Sequence, residues 1–189
     1  LNVAETRTID GGDYHILLSK RFDRNDDGKR IHFASALALL GLTDGDNAST
    51  GYGYTDIVDF IVRHGSNVEQ NLEELYRRVA FYIIVGNSDD HFRNHGFLLT
   101  RKGWELSPAY DINPTLADSQ SLQINRFTNE SNLDILLASA PDYMLSAEKA
   151  GNIINQVKTA MKPWRTEARR LGLPMRDIDF FAPRFDRWI

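Results

Sequence analysis

The chain has 189 residues, 42% of them hydrophobic and 25% charged, with a net charge of −4. That length builds one good core, and the composition is ordinary for a soluble globular domain. Having no cysteine excludes disulfides and thiolate metal sites, and the negative charge argues against a general nucleic-acid binder.

Leu1-Asn2-Val3-Ala4-Glu5 shows neither the basic nor the apolar region of a secretory leader. No apolar run approaches the roughly 20 residues that span a bilayer. A cytoplasmic location without membrane contact is the expectation. A first residue other than Met suggests a piece of a longer protein.

In chain order, residues 7 to 19 alternate and then run apolar around a turn signal, Gly11-Gly12-Asp13. Tyr14 to Ser19 read as a strand, the second arm of a hairpin. "RNDDGKR" is a polar turn, and "HFASALALLGL" reads as a short helix ending near Gly41. Residues 43 to 55 form a loop rich in Gly, Asn and Asp. Ile57, Val58, Phe60 and Ile61 then share one helical face that ends near Gly65. Leu72, Leu75, Tyr76, Val79, Ala80 and Ile83 repeat at i, i+3, i+4 and i+7, the pattern of a core-facing helix.

That helix delivers "GNSDDHFRNHGFL", residues 86 to 98. Two short strands follow, Phe97 to Thr100 and Trp104 to Leu106, around Arg101-Lys102-Gly103. After "SPAYDINPT" the chain is expected to return to helix. Ser146 caps a long helix, Pro163 kinks or ends it, and a last helix runs from about Pro174 to Phe181. The fold class is therefore α+β, mainly α with a small β element.

Asp89 precedes Asn94 by five positions, and Asp111 follows Asn94 by seventeen, with the hairpin between them. This is the layout of a protein-kinase C-terminal lobe, a catalytic loop followed by a β-hairpin. In-line phosphoryl transfer needs an Asp to accept the hydroxyl proton. Mg²⁺ on the triphosphate needs hard oxygen ligands, which an Asn amide and an Asp carboxylate supply once the hairpin folds the chain back. Singly, each residue has a plainer reading. Asp89, Asp90, Asn94 and Asp111 suit turns, His91 suits a structural histidine, and Arg93 suits solvent. The ordered set carries the signal. A second reading makes Asp90-His91 and His95 metal ligands of a hydrolase. That chemistry wants His before Asp, and His15, His32 and His64 have no carboxylate at a suitable offset.

These residues resemble the HipA family of bacterial serine/threonine kinases, toxins of toxin–antitoxin pairs. The family carries a D-x-H-x-K-N loop, a hairpin ending in P-x-Y-D, and an R-F-D-R strand end between its two lobes. The counterparts here are "DDHFRN" (89–94), "SPAYD" (107–111) and "KRFDR" (20–24). The resemblance implies ATP and Mg²⁺ as cofactors and Asp89 as catalytic base. Asn94 and Asp111 would bind Mg²⁺. The Lys20-Arg21-Phe22 backbone would meet the adenine, and His91, Phe92, Arg93 and Tyr110 would line the nucleotide side.

Two departures stand out. Arg93 replaces the motif lysine, keeping the charge but not the point geometry, and "GYGY" (51–54) stands where the family often has G-G-P. The implied organisation is one domain, residues 1–189. Residues 1–24 would join a missing N-terminal lobe, and residues 25–189 would form a helical body with catalytic loop 86–94 and hairpin 97–111. The phosphate-covering loop and pairing lysine of a complete kinase are not found upstream of Tyr14, so this stretch alone is expected to be nearly inactive. The implied partners are a protein substrate, an aminoacyl-tRNA synthetase among the candidates, and a DNA-binding antitoxin, with no direct nucleic-acid contact. The competing class is a non-catalytic pseudokinase or antitoxin-docking module.

Overall fold

Two exposed strands open the chain, β1 (Thr6–Asp10) and β2 (His15–Ser19), paired antiparallel with Ile9 opposite Ile16. The computed structural model describes residues 1–12 and 14–189, so Asp13 of the expected turn lies outside the described residues. A two-stranded ribbon is marginal by itself. This one is tied to the body at its base, where Ala4 N–H donates to Ala109 O at 2.9 Å and Ala109 N–H to Asn2 O at 2.8 Å.

The stretch expected as a helix over 32–42 begins as a strand. Phe33–Ser35 form β3, and only Ala36–Leu39 form α1. Ala34 pairs with Phe97, and this long-range ladder overrides the local helical preference of the segment. Ser35 marks the change, because its hydroxyl accepts from Ala38 N–H and starts the helix. The loop beyond contains a 3₁₀ turn at Ala48–Thr50 and ends at Gly53, one residue before α2 (Tyr54–His64).

The next helix, α3 (Val68–Val85), is the centre of the body. Leu75, Tyr76, Val79, Ala80, Ile83 and Ile84 on it are fully buried. Arg78 is buried too. Its guanidinium donates to Glu74 at 2.9 Å and to Ser107 O at 2.6 Å, fastening α3 to the end of the hairpin. That hairpin is β4 (Gly96–Thr100) with β5 (Gly103–Leu106), and the sheet order is β3-β4-β5, antiparallel throughout.

Helix does not resume after residue 115 as expected. Residues 107 to 132 run irregularly, and helix returns only with α4 (Leu133–Ala138). Pro108 and Pro114 each lack an N–H. The other backbone groups bond to distant loops instead, Ser121 N–H to Ser88 O at 2.9 Å and Thr115 N–H to Gly86 O at 2.9 Å.

Ser146 caps α5 (Ala147–Met161) by accepting from Lys149 N–H, as its sequence position predicts. Pro163 separates α5 from α6 (Trp164–Arg170). The last helix, α7 (Met175–Phe185), runs four residues beyond the expected end and tolerates Pro183 inside it. Ile178, Ala182 and Phe185 bury its apolar face against Trp164 and Ala168, and Arg184 is itself buried. Among the described residues no helix is long and apolar enough to cross a membrane.

Candidate active site

The apolar run Phe81 to Val85 is the last turn and a half of α3, buried from Tyr82 onward, and it explains why so many polar groups follow it. Gly86 ends the helix with φ +71°, in the left-handed region that favours glycine. The chain then turns across the core, and its side chains sort by direction. Asp89 and Arg93 face solvent, while Asp90, Phe92, Asn94 and His95 are buried.

Asp90 and His95 are fully buried and paired, with His95 Nε2 2.9 Å from Asp90 Oδ2. The same oxygen accepts from the Tyr54 hydroxyl at 2.7 Å. Burial, and then the neighbouring Asp90 carboxylate, push the Tyr54 phenol well above its usual range, so it remains a donor. The hydrolase reading needed Asp90 and His95 as metal ligands. They bind each other in the interior instead, and among the described residues no three His, Cys, Asp or Glu converge on one metal position.

Asn94 Nδ2 donates to the Asp89 carbonyl at 3.2 Å, which turns Oδ1 of the amide the other way. Asp111 adopts φ +56° and is exposed, and its Oδ1 accepts from Asn113 Nδ2 at 2.9 Å. Two bonds bring its segment to the loop. The Tyr110 hydroxyl donates to Arg93 O at 2.6 Å, and Asn113 N–H donates to the buried Asn87 side chain at 2.8 Å. Asp111 lies between these two anchors. Burial, and then Asp111 itself, push the Tyr110 phenol up to about 12.

Two cavities flank the loop. One, of about 360 Å³, is lined by Lys20, Arg21, Phe22, Asp23, Phe33 and Tyr110. The Phe22 ring sits 5.6 Å from Tyr110 and 5.8 Å from Phe33. Arg21 grips Asp23 through two nitrogens at 2.8 and 2.6 Å and holds its carboxyl down to about 2. The Lys20 side chain pairs with Glu5 at 3.3 Å in solvent. The other cavity, of about 160 Å³, is lined by Asp44, Asp46, Asp89, His91 and Arg93, with Arg93 in close ion pairing with Asp44.

The residues expected at a nucleotide site thus fall into two groups, Lys20, Arg21, Phe22 and Tyr110 on one cavity and Asp89, His91 and Arg93 on the other. The Tyr110–Arg93 bond joins the groups. Phe92 also lines the second cavity, but it is 1% exposed and its ring packs into the core near Tyr52, so it supports the loop from beneath.

The sequence alone did not point to the inward side of the loop. Tyr54, 36 residues before Asp90, carries no local signal. Nor does Arg184, which donates from α7 to Ile83 O at 2.8 Å and to Asp118 at 3.1 Å, bracing the end of α3. The five-residue offset of Asp90 and His95 matches that of Asp89 and Asn94, and it is the one clue to the buried pair.

The family model for the HipA-like C-terminal domain matches residues 1–164. The Shewanella oneidensis serine/threonine-protein kinase toxin HipA is 29% identical over 129 residues, 59% of this chain and 30% of that protein. A HipA structure from the same organism, solved with HipB and its operator DNA, has a TM-score of 0.78 at 19% identity, covering 100% of this chain and 50% of that one. The Helicobacter pylori proinflammatory kinase CtkA has a TM-score of 0.50 at 16% identity, covering 84% of this chain and 77% of that one. Both structures share the fold of this chain. The chain spans less than a third of the length of the curated kinase relatives that it matches.

Proposed function

The chain belongs to the family of HipA-like C-terminal domains, and from that premise we propose that it is the lobe of an ATP-dependent protein kinase that places the acceptor hydroxyl and the metal ion. The reaction is transfer of the γ-phosphoryl group to a serine or threonine hydroxyl of a protein. Asp89 is the base. It is exposed to solvent on the loop, where an incoming hydroxyl can meet it. Lys20, Arg21 and Phe22, with Tyr110, form the wall for adenine. His91 and Arg93 line the phosphate side.

The observation that carries this reading is the pinning of the Asp111 segment to the loop through Tyr110–Arg93 and Asn113–Asn87. It ties the segment that carries the Asp111 carboxylate to the loop that carries the Asn94 amide. Such a donor set fits Mg²⁺, which takes a few hard protein oxygens and completes its octahedron with phosphate oxygens and water. Bound there, Mg²⁺ would neutralise charge on the triphosphate.

Asn94→Ala and Asp111→Ala should each raise the Mg²⁺ concentration needed for ATP binding by about tenfold or more, the loss common even for residues that only orient metal ligands. Metal-free ATP binding should hardly change. Calorimetric titration of ATP at stepped Mg²⁺ checks this, and an unchanged Mg²⁺ requirement in both variants would remove the metal assignment.

By likeness to HipA, the complete protein would be a toxin with a DNA-binding antitoxin partner, acting in the cytoplasm on a component of translation, an aminoacyl-tRNA synthetase among the candidates. Residues 1–24 would form the junction to an N-terminal lobe that supplies the phosphate-covering loop and pairing lysine. The exposed ribbon β1–β2, with Leu17 68% exposed, suits a surface that a further lobe covers.

A further inference from the structure

The Asn94 amide has two unlike ends, and the metal reading needs its oxygen outward. The bond from Asn94 Nδ2 to the Asp89 carbonyl occupies the nitrogen end and leaves the oxygen end for the metal in this reading. The carbonyl belongs to the 89–90 peptide, whose position depends on what holds Asp90. Asp90 is held from two sides, by Tyr54 at the start of α2 and by His95, the residue directly after Asn94. The His95 carbonyl in turn accepts from Ala36 N–H at 2.7 Å, where β3 meets α1. The His95 ring packs edge-on against Tyr54 at 5.7 Å and Tyr82 at 6.3 Å.

Two ties therefore cross the loop at the same offset. Asp89 to Asn94 runs on the solvent side, and Asp90 to His95 runs on the core side. The inner tie is an expensive element. Asp90, His95 and Tyr54 are each 0% exposed, and Asp90 Oδ1 and His95 Nδ1 make no hydrogen bond among the described residues. A buried polar pair of this kind is weak evidence for stability, because apolar side chains of similar volume often do as well or better. It does something apolar packing cannot, since its directional bonds fix one arrangement of the backbone.

We propose that Asp90, held by Tyr54 and His95, is a positioning residue that orients the Asn94 amide toward the metal. The proposal rests on the kinase reading of Asn94. Residues that orient a metal ligand commonly matter about 10–100-fold in metal affinity.

The test compares Asp90→Asn with Asn94→Ala and Asp111→Ala in the complete protein. The measurements are Mg²⁺-dependent ATP binding by calorimetry, Mn²⁺ binding by its paramagnetic effect on water relaxation, and a thermal melt. Asp90→Asn should raise the half-saturating Mg²⁺ by about tenfold while metal-free ATP binds as before. Tyr54→Phe keeps the ring packing and the carboxylate, so it should move the same quantity in the same direction by less. It also stands in if Asp90→Asn does not fold. If the folded variants keep the parent's Mg²⁺ requirement while Asn94→Ala raises it, the positioning role is wrong and the kinase reading survives. If Asn94→Ala and Asp111→Ala leave the requirement unchanged as well, the kinase reading falls and the proposal falls with it.

Discussion

In the complete protein, Asp89→Asn is expected to leave ATP binding intact and to slow phosphoryl transfer by about 10²–10⁴, the usual contribution of a positioned general base. The structure makes this substitution clean. Among the described residues, the Asp89 carboxylate makes no hydrogen bond and no ion pair, and the group that holds Asn94 is the Asp89 backbone carbonyl. Asparagine is nearly isosteric and keeps that carbonyl in place. What disappears is the ability to take the proton of the acceptor hydroxyl. The checks are transfer of labelled γ-phosphate to protein and an ATP titration on the same sample. An Asp89→Asn protein that loses ATP affinity while transferring at the parent rate would reverse the assigned roles.

Gly86→Ala should lower stability by about 3 kcal/mol, from roughly 1–2 kcal/mol for a non-glycine residue in left-handed backbone and roughly 1–3 kcal/mol for overpacking. The crowding is unusually direct, since a Cβ at Gly86 would lie 2.2 Å from Thr115 O and 2.9 Å from Arg184 Nε. Backbone cannot swing aside as a side-chain tip does. The pressed segment is also the one that fastens to the loop, through Thr115 N–H to Gly86 O at 2.9 Å and Ser88 Oγ to Thr115 Oγ1 at 2.8 Å. For a domain of this size, each kcal/mol moves Tm by about 2–4 °C, so the melt should fall by about 6–12 °C. Gly172→Ala is the control. Its φ is +80° but nothing lies within 4 Å of the added carbon, so only the conformational cost of about 1–2 kcal/mol applies. Equal shifts for the two variants would show that crowding at Gly86 is not the cause.

These two residues mark how differently parts of the site can be read from sequence. Asp89, Asn94 and Asp111 announce themselves through order and spacing, because a loop and a short hairpin allow few ways to bring such groups together. Gly86 follows a strong helical period and is legible as its end. Asp90 is not legible. It sits beside Asp89 with the same side chain, and no periodicity in a loop says which of the two turns inward. The irregular run over 107–132 was also hidden. Its letters permit a helix after Pro114, and only the distant loops that take its hydrogen bonds forbid one.

The sequence by itself determined the elements whose signals are local. These are the buried stripe of α3, the β4–β5 hairpin and the Ser146 cap. Each depends on neighbours within a few positions, where helix pitch, strand alternation and capping act directly. Only the tertiary structure decided which side chains of the loop face the core, that β3 is a strand, and that Arg184 reaches the end of α3. These outcomes depend on partners such as Phe97 for Ala34, Tyr54 for Asp90 and Ile83 for Arg184. Such pairings form only after the chain has folded back on itself, and there the need to satisfy every buried polar group outweighs local preference.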